Sequence, residues 1–252
     1  MDSLLRRVAA SSLLALALAS AGAPGAGAAP HHRAGHAAIS RQRLVASAGP
    51  AAGKPLLLIV PGGGFVSYFD DSMWARRMAR GRGFAVRRIT YPLFDPLAAW
   101  HRVRDEARRL ARRGRSLYAY GESAGGTLAA LLAERCLVRA ATVNAPVSDL
   151  TSWSLPGYPG FWESMRNAGP RTRALLSPAL HPSARPILVQ QSPTDKLVPA
   201  AMNLGWAARD ARVGLREYQG DHVLGVDLTS YVENVREALG FLDRVRFRLR
   251  AE

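Results

Sequence analysis

Ser123, Asp195 and His222 follow one another along the chain, and each stands where a residue of its type can serve nucleophilic chemistry. A serine hydroxyl attacks well only when a base takes its proton, and a histidine base works when a carboxylate fixes its tautomer. Ser123 is the centre of Gly121-Glu122-Ser123-Ala124-Gly125-Gly126, a G-x-S-x-G. Asp195 lies in Ser192-Pro193-Thr194-Asp195-Lys196-Leu197-Val198-Pro199, and His222 closes Gly220-Asp221-His222. Such a set suits attack on a carbonyl carbon through a covalent intermediate.

The elements around these residues are the ones that chemistry needs. The apolar run 116–120 before the serine predicts a strand, and 127–135 after it a helix, which makes the G-x-S-x-G a nucleophile elbow. A strand reversing into a helix within a few residues brings its flanks together, so the positions two before and two after the serine must lack bulk. Gly121 and Gly125 meet that demand, and the turn aims the Ala124 amide, at the helix N-terminus, toward developing negative charge. The bland reading of the pentapeptide alone is a glycine-rich turn carrying a surface serine. Upstream, the run 55–60 predicts a fully buried strand leading into Pro61-Gly62-Gly63-Gly64-Phe65, whose glycines expose N–H donors at the carboxyl edge of the sheet. A phosphate-binding loop would end in Gly-Lys-Ser/Thr, and this one continues Phe-Val-Ser. Asp195 follows the predicted strand 187–190 and His222 the predicted strand 215–218, so all three residues fall beyond carboxyl strand ends, where open α/β sheets build their sites.

On these motifs the chain resembles the α/β-hydrolases of the esterase and lipase kind, from about Lys54 to the C-terminal helix. The Gly-Glu-Ser-Ala-Gly-Gly elbow is similar to that of carboxylesterases, and the triple-glycine loop to that of hormone-sensitive-lipase-like esterases. The resemblance implies Ser123 as nucleophile, His222 as base, Asp195 as orienting acid, and Gly63, Gly64 and Ala124 as oxyanion donors. It also implies one domain with a mostly parallel central sheet, helices on both faces, and no cofactor. Two departures stand out. Pro61 occupies the place where such loops usually begin with histidine, as in some secreted carbohydrate esterases, and Gln191-Ser192-Pro193 lacks the glycine normally found before the acid. Type-B carboxylesterases share the elbow but are far longer and use glutamate as the acid.

Other residues compete for these roles. Asp149, after the predicted strand 140–144, is the alternative acid, whereas Asp221 is too close to His222 in sequence for the side chains to face each other. His101 sits on a predicted helix and His181 between prolines, both without an implied role. Glu122 is expected to support the site through hydrogen bonds. For the substrate, Phe65, Tyr68 and Phe69 are expected to form one wall. Trp153 and Trp162, in an aromatic loop with Tyr158 and Phe161, are expected to form a short cap opposite, the alternative being a satellite hydrophobic cluster.

With 252 residues and 48% hydrophobic content, the chain can bury one large core. Helices are expected at 72–81, at 97–113 with Leu97, Trp100, Val103, Ala107 and Leu110 on one face, and at 229–249 with Val232, Val235, Leu239 and Leu242 on one stripe. Residues 1–28 read as a signal peptide: Arg6-Arg7, an apolar run from Val8 to Ala19, and the A-x-A site Ala26-Gly27-Ala28. Export to the periplasm or medium is therefore expected, by the general or the twin-arginine route, an uncleaved anchor being the alternative. Residues 29–53 read as a flexible leader containing His31, His32 and His36, and 54–252 as the hydrolase domain. The single cysteine, Cys136, excludes an internal disulfide and is expected to be a small buried side chain. The formal charge of +15 comes almost wholly from arginine, since Lys54 and Lys196 are the only lysines. These arginines are dispersed and not interleaved with stacking aromatics, which argues against nucleic acid and leaves at most a weak attraction to anionic envelope or polysaccharide surfaces. The partner expected is a small-molecule ester; a peptidase, an acyltransferase and a binding protein that kept the scaffold are the alternatives.

Overall fold

The apolar runs 55–60, 116–120, 140–144 and 187–190 become strands of one parallel sheet, with amphipathic segments between them. The computed structural model describes residues 53–68, 73–154, 165, 168–223 and 226–251. The expected signal peptide and leader, Phe69, Tyr158, Phe161 and Trp162 lie outside them. In chain order the elements are β1 (Leu56–Val60), α1 (Met73–Gly81), β2 (Ala85–Arg88), α2 (Pro96–Ala111), β3 (Leu117–Glu122), α3 (Ser123–Glu134), β4 (Ala141–Asn144), α4 (Pro170–Leu175), β5 (Ile187–Gln191), α5 (Ala200–Arg209), β6 (Val213–Glu217) and α6 (Leu228–Ala251). The six strands lie in the order β2-β1-β3-β4-β5-β6, each pair parallel.

Parallel strands must be covered on both faces, and the two-residue period of the side chains divides the core accordingly. Leu56, Leu58 and Val60 of β1 and Leu117 and Ala119 of β3 join one cluster with Trp100, Val103, Leu128, Leu131 and Trp206. Leu57, Ile59, Tyr118 and Tyr120 join the other, with Ala75, Ala79, Val235, Leu239 and Leu242. Helices α2, α3 and α5 therefore cover one face, and α1 and α6 the other. Asp95 caps α2, its Oδ1 accepting the Ala98 N–H at 2.9 Å, with Pro96 in the first turn.

The expected faces of α2 and α6 pack inward as read, with Leu97 and Val232 at their partly exposed margins. Three elements escape the sequence reading, among them the short α4. β2 is an edge strand carrying Arg87 and Arg88, and a strand half-covered by solvent need not be apolar. In α5 the buried residues are Asn203 and Trp206, too few for an apolar stripe. Cys136 corrects another expectation: it is exposed, because the chain leaves α3 through a left-handed residue there (φ 57°), which turns the thiol outward.

Candidate active site

The strand order places β1 and β3 side by side although β2 lies between them in sequence. The crossovers run one way from β1 to β2 and the other way from β2 to β3. A crevice opens at such a reversal, outside the carboxyl ends of the two strands. Val60 pairs with Gly121 in register, so the triple-glycine loop and the elbow leave the sheet as neighbours.

Within the elbow every residue from Leu117 to Glu134 is buried except Ser123. Ser123 has φ 50°, a left-handed conformation that a non-glycine residue holds only under constraint, at roughly 1–3 kcal/mol. The glycines explain how. A Cβ on Gly121 would run into the Gly125 carbonyl, and a Cβ on Gly125 into the carbonyls of Val60 and Pro61, so the reversal closes only with hydrogen at both places. One built on Gly62 would come 2.9 Å from the Glu122 carbonyl oxygen and 3.4 Å from the Ser123 Cβ, which puts the glycine loop directly against the serine. Ala124 follows in the first turn of α3, its N–H among those a helix leaves without an internal partner.

The glycine loop is itself anchored. The buried Tyr91 hydroxyl donates to the Pro61 carbonyl at 2.8 Å, and the Gly63 carbonyl accepts N–H bonds from Val66 and Ser67 at 3.0 Å each. Gly63 adopts φ 121°, and a side chain there would strike the Ser67 backbone. Phe65, expected as a substrate wall, is fully buried, its ring tilted against Tyr91 at 6.0 Å. An aromatic side chain next to three glycines has the more favourable option of the core, where it fastens the loop. Tyr68 stays 37% exposed, its hydroxyl donating to the Tyr91 carbonyl and its ring edge-on to that of Tyr91.

On the other side of the sheet, two loops meet. His222 Nδ1 lies 2.7 Å from Asp195 Oδ2, and the Asp195 side chain is wholly buried. The N–H groups of Leu197 and Val198 donate to Asp195 Oδ1 at 2.8 and 2.9 Å. Burial raises the carboxyl pKa, but the hydrogen bond and charge of His222 and the two backbone donors outweigh it and hold Asp195 below the ordinary carboxylate range. Because a carboxylate only accepts, the ring carries its proton on Nδ1 and presents a lone pair on Nε2 when neutral. The loops are laced together: the hydroxyls of Ser192 and Thr194 both donate to the Gly220 carbonyl. Beyond the histidine, the Tyr218 hydroxyl accepts the Val223 N–H at 2.9 Å, and Asn144 Nδ2 donates to the Val223 carbonyl at 3.0 Å. Asn144 pairs in register with Glu122, the residue before the serine, so the histidine loop is tied to the strand beside the elbow.

Asp149 is bonded within its own turn, accepting from Thr151 N (2.8 Å), Thr151 Oγ1 (2.6 Å) and Ser152 Oγ (2.7 Å). His222 is paired with Asp195 instead. Glu122 is buried beneath the elbow, where the hydroxyls of Tyr120 and Tyr231 donate to its Oε1. Trp153, expected in the cap, is 6% exposed in the core, and its indole N–H donates to the Leu197 carbonyl at 2.8 Å. A tryptophan is buried most favourably where its N–H finds a partner, and the acid loop provides one. His101 is exposed on α2, and His181 Nε2 lies 3.0 Å from the Ala174 carbonyl. Sequence reasoning missed Gln191, whose Nε2 donates to Asp195 Oδ2, and Asn203, whose Nδ2 donates to Gln191 Oε1.

No protein-family model and no curated protein sequence matches the chain. Its backbone is similar to that of Thermogutta terrifontis esterase 2 (TM-score 0.65, 19% identity, 79% of this chain and 87% of that chain). It is also similar to an acetyl ester-xyloside bifunctional hydrolase from Caldicellulosiruptor lactoaceticus (TM-score 0.63, 16% identity, 76% and 84%). A third likeness is to an α/β-superfamily protein from Xanthomonas campestris pv. campestris (TM-score 0.53, 20% identity, 74% and 99%). With the parallel sheet and its flanking helices, these likenesses give the chain the α/β-hydrolase fold.

Proposed function

We propose that this protein is an exported serine esterase acting on carboxylic esters with short acyl groups, through Ser123, His222 and Asp195. The observation that carries the reading is the buried Asp195 bonded at 2.7 Å to His222 Nδ1, on the same sheet edge as a serine held in a left-handed elbow. His222 Nε2 takes the Ser123 proton as Oγ attacks the ester carbonyl. The oxyanion rests on N–H groups of Gly63 or Gly64 and of Ala124. The leaving alcohol departs with the proton from His222, and water then cleaves the acyl-enzyme by the same route. Tyr68 and Trp162 remain as candidates for the substrate wall; Phe65 and Trp153 shape the site from beneath.

Short acyl groups are favoured because the chain devotes only one short aromatic loop to a cap. A structural neighbour supports this: Thermogutta terrifontis esterase 2 has been captured with butyrate and with propionate bound. Export follows from the N-terminal run of residues 1–28, with cleavage after Ala28.

The experiment is labelling with a fluorophosphonate probe, then hydrolysis of acetyl, butyryl and dodecanoyl esters of one chromogenic alcohol. Ser123 is expected to take the label, Ser123→Ala to lose both labelling and hydrolysis, and the two short esters to give the higher kcat/KM. Stoichiometric labelling of another serine would sink the assignment. A dodecanoyl preference would replace the shallow site with an acyl tunnel, and turnover of peptides alone would make the enzyme a peptidase.

A further inference from the structure

Asp195 Oδ2, the oxygen facing His222, has a second donor. Gln191, the last residue of β5 and 1% exposed, points its Nε2 at this oxygen from 3.2 Å. The same nitrogen donates to the carbonyls of Ser192 at 2.9 Å and Val198 at 3.3 Å, the two ends of the acid loop. Three acceptors around one atom require it to be the nitrogen, which leaves Gln191 Oε1 pointing away. There Asn203 Nδ2 donates to it at 2.6 Å. Asn203 Nδ2 also donates to the Pro146 carbonyl at 2.9 Å. A flipped Asn203 would set its oxygen against those two oxygens, so the Pro146 carbonyl fixes both amides in turn. Pro146 packs on the elbow helix, a Cβ on Gly126 meeting Pro146 Cβ at 3.2 Å.

This order carries a stability penalty. Asn203 Oδ1 is buried and has no partner among the described residues, and an unpaired buried acceptor loses its hydration without recompense. A pair of apolar side chains would fill the space without that loss. The Gln191 amide also bridges the two ends of the acid loop.

We propose that Gln191, oriented by Asn203, is a positioning residue for the acid: it fixes Asp195 Oδ2 on the line to His222 and takes up part of its charge. The inference rests on the reading of Asp195 and His222 as acid and base. Removing the donor leaves more charge on Oδ2 to face the imidazole, and the acid limb of the activity profile should move to higher pH. Among the described residues, Asp221 Oδ1 accepts the His222 N–H at 2.7 Å, buried Tyr218 feels the charges of Asp195, Glu122 and Asp221, and exposed Lys196 follows Asp195 in the chain. None of these is altered by the variants below.

The test measures kcat and KM against pH for a short-chain ester in the parent, Gln191→Met and Asn203→Ala, with melting temperatures and fluorophosphonate labelling alongside. In Gln191→Met the acid limb of kcat/KM is expected to move up by about half a pH unit or more, and kcat to fall about tenfold at unchanged KM. Asn203→Ala is expected to move both the same way by less, and it decides the matter if Gln191→Met does not fold. An unmoved acid limb in the folded variants, with activity falling only as the melting temperature does, makes Gln191 merely structural and overturns the proposal. A parent that neither labels at Ser123 nor hydrolyses esters overturns the triad and this inference together.

Discussion

The two halves of the candidate site are built from different materials. Around β1 and β3 the geometry is made by backbone: Gly62, Gly121 and Gly125 let main chain approach main chain, and Ser123 is strained into place between them. Around β5 and β6 it is made by side chains, with Gln191, Ser192, Thr194, Asn203 and Tyr218 lacing two loops that carry Asp195 and His222. A backbone-built half has no tolerance for added atoms, while a side-chain-built half can lose one bond at a time. Its failures should therefore be graded where those of the elbow are abrupt.

The sharpest test of that contrast is Gly125→Ala. Its Cβ would occupy the space of the Val60 and Pro61 carbonyls, neither of which can move without opening β1 and the glycine loop. A loss beyond about 4–5 kcal/mol is expected, enough to leave little folded protein, read by urea unfolding or by soluble yield. Gly214→Ala is the control, since a Cβ there meets Leu188 Cδ1 at an ordinary 3.8 Å. Equal tolerance at both positions would erase the distinction between the halves.

Asp195→Asn comes next. The fold should survive, because amide and carboxyl have one shape and Leu197 and Val198 keep an oxygen to donate to. The activity should fall by about 10⁴ in kcat, since His222 loses the acceptor that fixes its tautomer. Asp149→Asn disturbs bonds from Thr151, Ser152 and Ser177 and none to His222, and is expected to be mild. A reversed ranking of the two would move the acid to the β4 loop.

This contrast also accounts for what the sequence made legible. Glycine is the residue a close backbone approach demands, so Gly121, Gly125 and the triple-glycine loop could be read directly, and with them the serine and the strand-to-helix turn. Asp195 was harder to separate from Asp149, because both follow a buried strand and only the fold shows which loop reaches the histidine. Gln191 and Asn203 carried no signal at all: a glutamine ending a strand and an asparagine in a helix without an apolar stripe look like surface residues. Phe65 and Trp153 were misplaced for a related reason. An aromatic near a catalytic motif is as useful holding a loop from beneath as lining a pocket, and residue type does not distinguish the two.

A pH series separates chemistry from stability within the side-chain half. Activity should fall about tenfold for each pH unit below the acid limb as His222 takes up the proton that blocks general-base action. The loss should be reversible, because Asp195 is held below its ordinary range and stays charged there. A carboxyl with a lowered folded-state pKa adds stability that is fully present above its unfolded value of about 3.9 and disappears as the pH falls through the lower folded value. Near-ultraviolet circular dichroism should thus remain native while activity is already lost. Simultaneous loss of both would mean that the activity profile reports unfolding.

A smaller effect is expected from the lacing. Ser192→Ala and Thr194→Val each remove one hydroxyl from the Gly220 carbonyl, and either hydroxyl can stand in for the other. The single variants should be nearly silent, whereas the double variant should lower kcat about tenfold as the histidine loop loosens, a misplacement well under that which costs 10²-fold. Additive single effects would show that the two hydroxyls do not share a task.

The smallest effect should come from Trp153→Phe. Phenylalanine keeps most of the buried aromatic surface but not the indole N–H, so the Leu197 carbonyl loses its 2.8 Å donor while the Leu197 N–H still binds Asp195 Oδ1. One hydrogen bond of this kind is worth about 1 kcal/mol, which in a domain of this size lowers the melting temperature by about 2–4 °C. Since Trp153 touches the acid loop from outside and lies in the core, kcat and KM should stay within about threefold of the parent, with no selective rise in KM. A KM rising tenfold for the longer acyl esters alone, at unchanged melting temperature, would mean that the indole swings out to meet substrate. The cap would then include Trp153 after all, and the side-chain half of the site would contribute to binding as well as to positioning.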